Sequence, residues 1–183
     1  MGEASRGLRI VVLISIIGLD DFDLPAYMLI MTKAEIYTQT AKEIAAVLDG
    51  ETNNVARMAT VSCLLSEAFE HYFWTGFYVV DPDKPEELVV GSYQGTLGCL
   101  RIPFSRGVCG AAAKTQEVLI VKDVHEFPGH IACDVRSASE IVVPVYAPDG
   151  SLFAVFDVDS SEIGSFDEID AAGLVPILKD VIV

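Results

Sequence analysis

The order of the hydrophobic periodicities limits the fold of this chain more than any other feature. Two segments with helical spacing come first, over residues 32–48 and 54–70, and short β-type runs separated by turn residues follow. This order predicts an α+β domain with a central antiparallel sheet flanked by helices. The 183 residues are enough for one such domain with its own hydrophobic core.

The two leading segments carry recognisable helix signals. Thr32 and Glu35 have the spacing of a capping box, which predicts the start of the first helix. The second helix is predicted from Asn54 to Glu70, and Cys63 within it is interpreted as a small buried residue. Its predicted buried stripe consists of Val55, Ala59, Leu65 and Phe69.

The rest of the chain is predicted to form two hairpins with a crossover between them. The first hairpin is predicted from residues 74–80 and 88–93, and the second from residues 140–146 and 151–159. A closing helix is predicted to begin near Asp167 with Ser165 as its cap. The crossover contains an extended run at 100–104, a helix at 107–115 and a strand at 118–121.

Residues 123–139 show no periodicity, although they lie inside the predicted domain. A segment of this length without secondary structure is usually a lid or a binding loop. It contains His125, His130 and Cys133. We therefore expect functional side chains in this lid.

Three carboxylates lie at one end of the second hairpin. If Tyr146 pairs with Ser151, then Glu140 lies opposite Asp157, and Asp159 shares the same face. The side chains either extend into solvent at the strand end or form a pocket for a cation. In a pocket the crowding should raise at least one pKa and leave an acid usable at neutral pH. A β-bulge would change this register.

Four cysteines are too few and too dispersed for a disulfide-rich secreted scaffold, which favours a reducing, cytoplasmic location. Cys99 and Cys109 flank an extended run, and Cys133 lies in the lid, an arrangement that suits thiol redox chemistry. The competing interpretation is a zinc site. Its ligands would be Cys109, His125, His130 and Cys133, although no paired C-x-x-C is present.

Charge and hydropathy argue against two classes of partner. The formal net charge is -15 and the 12 Lys and Arg residues form no run, so we expect no nucleic acid partner. The apolar run from Leu8 to Leu19 is shorter than the ~20 residues that span a bilayer, so we expect no membrane insertion. We interpret residues 1–30 as an N-terminal extension and residues 31–183 as the domain.

Trp74 is the only tryptophan of the chain. It either fills the core or forms the wall of a pocket for an apolar group. Tyr78 lies on the same face of the predicted strand and would extend that wall.

With these motifs assembled, the chain resembles the free methionine-(R)-sulfoxide reductases, which are GAF-domain enzymes. The resemblance extends from about Met31 to Pro176 and includes three cysteines in order together with the lid sequence. The matching segments are WTGFY at 74–78, RIPFSRGVCG at 101–110, DVHEFPGHIACD at 123–134, SEIVVP at 139–144 and FDVD at 156–159. Val135 and Arg136 depart from the pattern, which has smaller residues there.

The resemblance implies a function and roles for particular residues. Cys133 would attack the sulfoxide sulfur, Cys99 would be the main resolving thiol, and Cys109 would be a third thiol. Trp74 would lie near the substrate methyl group. Glu140, Asp157 and Asp159 would bind the substrate.

The same resemblance implies the partners of the reaction. We expect free methionine-(R)-sulfoxide as the substrate, a thioredoxin-like protein as the reductant, a homodimer, a role in the response to oxidative stress, and no metal or organic cofactor. The alternative function is a GAF sensor that binds a small molecule without catalysis, for which the cysteines would be dispensable. A zinc-stabilised interaction module is a further alternative, and it would unfold on chelation.

Overall fold

The computed structural model describes residues 31–130 and 133–183, which form four α-helices and six β-strands. The proposed extension over residues 1–30 lies outside the described residues. The helices are α1 Lys33–Val47, α2 Asn54–Ala68, α3 Gly107–Thr115 and α4 Glu168–Lys179. The strands are β1 Trp74–Asp81, β2 Lys84–Gly95, β3 Arg101–Pro103, β4 Leu119–Val121, β5 Ser139–Tyr146 and β6 Leu152–Ser160.

The six strands form one sheet in the order β3-β2-β1-β6-β5-β4, and every neighbouring pair is antiparallel. The two predicted hairpins, β1–β2 and β5–β6, therefore meet side by side through β1 and β6. This arrangement confirms the predicted α+β domain with a central antiparallel sheet.

Both faces of the sheet are covered, because the central strands carry apolar residues in both directions. On one face α1, α2 and α4 pack over residues such as Phe77 and Phe156, each 0 % exposed. On the other face α3 packs over Val142 and Val155. No helix among the described residues is long and apolar enough to cross a membrane.

The predicted N-terminal cap is confirmed for α1 and is wrong for α4. Thr32 forms the predicted capping box with Glu35. The cap of α4 is Asp167, because its carboxylate accepts the backbone N–H groups of Ile169 and Asp170. The predicted cap, Ser165, instead donates its hydroxyl to Ser160.

The predicted buried stripe of α2 is wrong at its first half. Val55 is 64 % exposed, and Ala59 is also exposed. The buried positions are Met58, Val61, Ser62 and Leu65, which recur every three or four residues. The predicted stripe stepped six residues from Ala59 to Leu65, which does not fit the helical period. Cys63 lies at the edge of this stripe and is half-buried, not buried as predicted.

A buried polar cluster joins α4 to α1 on the helical face of the sheet. The Asp170 side chain is 0 % exposed, lies 2.7 Å from Lys33 Nζ and accepts a hydrogen bond of 2.8 Å from Tyr37 Oη. Tyr37 in turn contacts the hydroxyl of Tyr72. These partners satisfy a carboxylate that would otherwise be costly to bury.

The register of the second hairpin differs from the prediction by two residues. Glu140 pairs with Asp159, and Asp157 pairs with Val142. One residue of the shift comes from the longer turn, because Tyr146 pairs with Leu152, and the other comes from an irregularity next to Tyr146. A shift of two equals the side-chain period of a strand, so the carboxylates keep their common face.

Candidate active site

The three carboxylates converge on the α3 side of the sheet. Glu140 from β5 and Asp157 from β6 are each 5 % exposed, and Asp159 is partly buried beside Glu140. Asp157 Oδ1 has no hydrogen-bond partner among the described residues. A buried carboxylate oxygen without a partner is unfavourable unless a proton or a cation reaches it. The predicted solvent-exposed alternative is therefore wrong for Glu140 and Asp157.

Burial sets the ionisation of this cluster. It raises the pKa of Glu140 well above its usual range, and the charges of Asp157 and Asp159 raise it further. Burial and then the Asp159 charge raise the pKa of Asp157 in the same way. Burial also raises the pKa of Asp159, to about 6. The cluster therefore retains a transferable proton near neutral pH.

Two stacked aromatic rings form the wall next to this cluster. The ring centroids of Trp74 and Tyr78 lie 5.3 Å apart, and Trp74 Nε1 donates a hydrogen bond of 3.1 Å to the Thr96 carbonyl. A Cβ atom at Gly98 would lie 2.8 Å from the Tyr78 hydroxyl and 3.1 Å from the Trp74 ring. Glycine at this position lets the loop lie directly on the rings.

The structure places the three predicted redox thiols around the carboxylates. Cys99, in the loop between β2 and β3, forms a disulfide with Cys133 of the lid, with a Cα–Cα distance of 5.2 Å. Cys109 on α3 is buried, and its Sγ lies 3.8 Å from Glu140 Oε1. Burial and the charges of Asp157 and Glu140 raise the pKa of the Cys109 thiol.

These groups surround one cavity of about 30 Å³ beneath the lid. Seven of the eight predicted site residues line it, and the eighth, Cys99, is bonded to a lining residue. The seven are Trp74, Tyr78, Cys109, Cys133, Glu140, Asp157 and Asp159.

The cavity also contains residues that the sequence did not mark as site residues. Among them are Asp134 and Ser137 of the lid, together with Leu97 and Gly98. His130, which was predicted only as a zinc ligand, also lines the cavity. The aperiodic lid pointed to this region, but no spacing rule identifies which lid side chains turn inward. Sequence alone therefore located the segment and not these individual contacts.

The predicted zinc ligands do not form one site. His125 has its Nδ1 2.7 Å from Asp123 Oδ1, and the sulfur of Cys133 is bonded to Cys99. Within residues 31–130 and 133–183, the donors that could hold a metal are Cys109, Glu140 and Asp157, whose ligand atoms lie within 4.8 Å of one another. A metal would need these groups deprotonated, whereas an ammonium ligand needs one carboxylate charge.

The raised pKa of Asp159 predicts a pH effect on stability. Between pH 4 and 6 the unfolded state loses the proton that the folded state keeps. The free energy of unfolding should therefore fall as pH rises through this window, by up to about 3 kcal/mol from this group. Urea unfolding of the wild type and Asp159→Asn at several pH values measures the difference. Equal pH dependence in the two proteins would contradict the assignment.

The sheet order, the helices on both faces and the enclosed cavity define the class of this protein. The family model of the GAF domain matches residues 61–181, and the chain is a GAF-domain protein. The chain is 47% identical over 148 residues to GAF domain-containing protein A of Dictyostelium discoideum, which covers 81% of this chain and 91% of that protein.

Two further relatives carry a more specific name. The chain is 42% identical over 144 residues to the free methionine-R-sulfoxide reductase of Escherichia coli, covering 79% of this chain and 85% of that enzyme. The crystal structure of the Neisseria meningitidis free methionine-R-sulfoxide reductase with its substrate is 44% identical, with a TM-score of 0.78. It covers 82% of this chain and 89% of that one. This chain belongs to the free methionine-R-sulfoxide reductase family.

Proposed function

We propose that this chain reduces the R-diastereomer of free methionine sulfoxide to methionine with its own thiols. The observation that carries the proposal is the Cys99–Cys133 disulfide over a cavity lined by Glu140, Asp157 and Trp74. It combines a redox-active pair of sulfurs, an acidic subsite and an aromatic wall. Membership of the reductase family supports the same reaction.

The ammonium and methyl groups of the substrate each have a matching group in the cavity. The ammonium group pairs with an ionised carboxylate of the cluster, which also relieves the repulsion between the acidic side chains. The methyl group packs against the Trp74 ring, which is apolar and presents a negative face to the polarised sulfur. A methionine sulfoxide within a polypeptide has an acylated amine without charge, so the cavity selects the free amino acid.

The first chemical step transfers the sulfoxide oxygen to the enzyme. The Cys133 sulfur attacks the sulfoxide sulfur while a protonated carboxyl, Glu140 or Asp157, donates its proton to the sulfoxide oxygen. The carboxyl recovers a proton from the thiol. The hydroxyl then moves from the substrate sulfur to the Cys133 sulfur as the bond between the two sulfurs breaks, so methionine leaves and Cys133 becomes a sulfenic acid. Coupling proton transfer to attack matters because the surrounding carboxylates disfavour a Cys133 thiolate.

The second step returns the enzyme to its thiol form. Cys99 attacks the sulfenic sulfur, the S–S bond forms, and water leaves. A dithiol reductant of the thioredoxin type then reduces this disulfide by exchange. The thiol of Cys109 is the second candidate for resolution, and its raised pKa makes it the weaker nucleophile at neutral pH.

The cellular setting follows from this cycle. Because regeneration requires a dithiol donor, we assign the enzyme to the cytoplasm and to the response to oxidative stress. The groups named above account for the reaction without a metal or an organic cofactor, and that absence remains a prediction. Homodimer formation also remains a prediction, which size-exclusion chromatography with light scattering can measure.

One assay separates the reductase from the sensor. The protein is incubated with dithiothreitol and either free methionine-(R)-sulfoxide, the S-diastereomer or an N-acetylated R-substrate, and methionine formation is quantified. We expect turnover of the free R-substrate alone. Binding of the R-substrate by calorimetry without any turnover would overturn the reductase proposal in favour of the sensor.

A further inference from the structure

Three side chains next to the disulfide form what we name the lid clamp: Thr96, Asp134 and Arg136. Thr96 lies in the loop between β2 and β3 and donates its hydroxyl to Asp134 Oδ2 at 2.8 Å. Arg136 donates from Nε and Nη2 to the Asp134 carboxylate at 3.0 and 2.6 Å. It also donates from Nη2 to Thr96 Oγ1 at 3.3 Å.

Arg136 also contacts the residue that precedes the central strand β1. Its Cζ lies 5.2 Å from the centroid of the Phe73 ring, the geometry of a cation–π contact. Phe73 directly precedes β1, and its backbone N–H donates to the Asp159 carbonyl at 3.1 Å. The clamp is therefore anchored to the part of the sheet that carries the carboxylate cluster.

We propose that Arg136 is a positioning residue that keeps Cys133 beside Cys99 when the two thiols are reduced. The clamp joins the same two segments as the disulfide, because Thr96 lies three residues before Cys99 and Asp134 follows Cys133. Among the described residues, the hydrogen bonds between the 96–100 loop and the lid all involve Asp134 or Arg136. Without the disulfide, these bonds hold the segments together.

The chemistry of the clamp requires arginine at this position. The guanidinium presents two parallel donors to one carboxylate and a flat face to the Phe73 ring, which lysine cannot do at once. This pairing lowers the pKa of Asp134, so the carboxylate stays ionised and the clamp stays formed at neutral pH.

The inference rests on the proposed function for the step that the clamp assists. In that step Cys99 attacks the Cys133 sulfenic acid, the S–O bond breaks, the S–S bond forms and water is released. A clamp that keeps the sulfurs close raises the effective concentration of Cys99 at Cys133. It thereby shortens the lifetime of the sulfenic acid, the form open to further oxidation.

The clamp can be tested without any substrate. Purified full-length wild type, Arg136→Ala, Arg136→Lys and Thr96→Val are equilibrated in glutathione redox buffers, and mass spectrometry of alkylated peptides gives the Cys99–Cys133 disulfide fraction. The effective concentration of the two thiols follows from this fraction. Lys42→Ala, on an exposed position of α1, is the matched loss of one positive charge.

We expect Arg136→Ala and Thr96→Val to lower the effective concentration roughly three- to tenfold, with Arg136→Lys between them and the wild type. Thr96→Val changes no charge, so its effect cannot come from the pKa of a nearby thiol. A value within twofold of the wild type for Arg136→Ala, or an equal fall in Lys42→Ala, would overturn the proposal. Because only glutathione is used, this result is independent of whether the chain reduces methionine sulfoxide.

Discussion

Replacing Cys133 with serine should abolish the reduction of free methionine-(R)-sulfoxide, lowering the rate by more than about a thousandfold. A hydroxyl at this position is a far weaker nucleophile than a thiol, and it cannot pass through the sulfenic acid and disulfide. Methionine formation with dithiothreitol as the reductant measures the rate. Dithiothreitol in excess keeps wild-type and variant proteins comparable, since neither then holds the Cys99–Cys133 disulfide.

Cys63→Ser is the matched control for this substitution. Cys63 lies on α2, contacts Glu67 and does not line the cavity, so the same exchange there should leave turnover unchanged. Circular dichroism and thermal unfolding of both variants establish that the fold is intact. Substantial turnover by folded Cys133→Ser would show that the lid cysteine is not the nucleophile.

Asp157→Asn should have the second largest effect, and it should move activity and stability in opposite directions. In the proposed reaction the Asp157 carboxyl serves either the substrate ammonium or proton transfer to the sulfoxide oxygen, so its loss costs about 2–5 kcal/mol and lowers kcat/KM by about thirtyfold or more. The same change relieves the crowding of buried carboxylates. Burial and the Asp159 charge raise the pKa of Asp157, so its ionised form destabilises the folded protein at neutral pH.

We expect the gain in stability at pH 7 to be about 1–2 kcal/mol, or roughly 3–6 °C in Tm for a domain of this size. Thermal unfolding and steady-state kinetics of the same preparation give both values. Asp83→Asn, at the exposed turn between β1 and β2, is the control for an amide replacing a carboxylate. A variant with lower Tm and unchanged kcat/KM would contradict the assignment of Asp157 to the substrate subsite.

Signals from neighbouring residues were sufficient to predict the helices and strands. They failed where a hydrogen bond to a distant segment decides what a side chain does. The capping box at Thr32 and the limits of α3 were predicted from the sequence because both depend on neighbouring residues. The cap of α4 was assigned to Ser165, but that hydroxyl bonds to Ser160 in β6, a contact that only the folded chain creates. The same limit applies to the lid, where Asp134 and Arg136 contact Thr96 across 38 and 40 residues.

By itself the sequence determined that Asp157 and Asp159 share one face, because the period of a strand fixes it within β6, whereas the face that Glu140 takes depends on the register of the hairpin. It did not determine that Glu140 pairs with Asp159, since the turn length and a local irregularity each moved the pairing by one residue. Only the tertiary structure buried the cluster beneath α3 and the lid. That burial, more than the identity of the residues, raises their pKa values and turns three ordinary carboxylates into an acidic chamber beside two sulfurs.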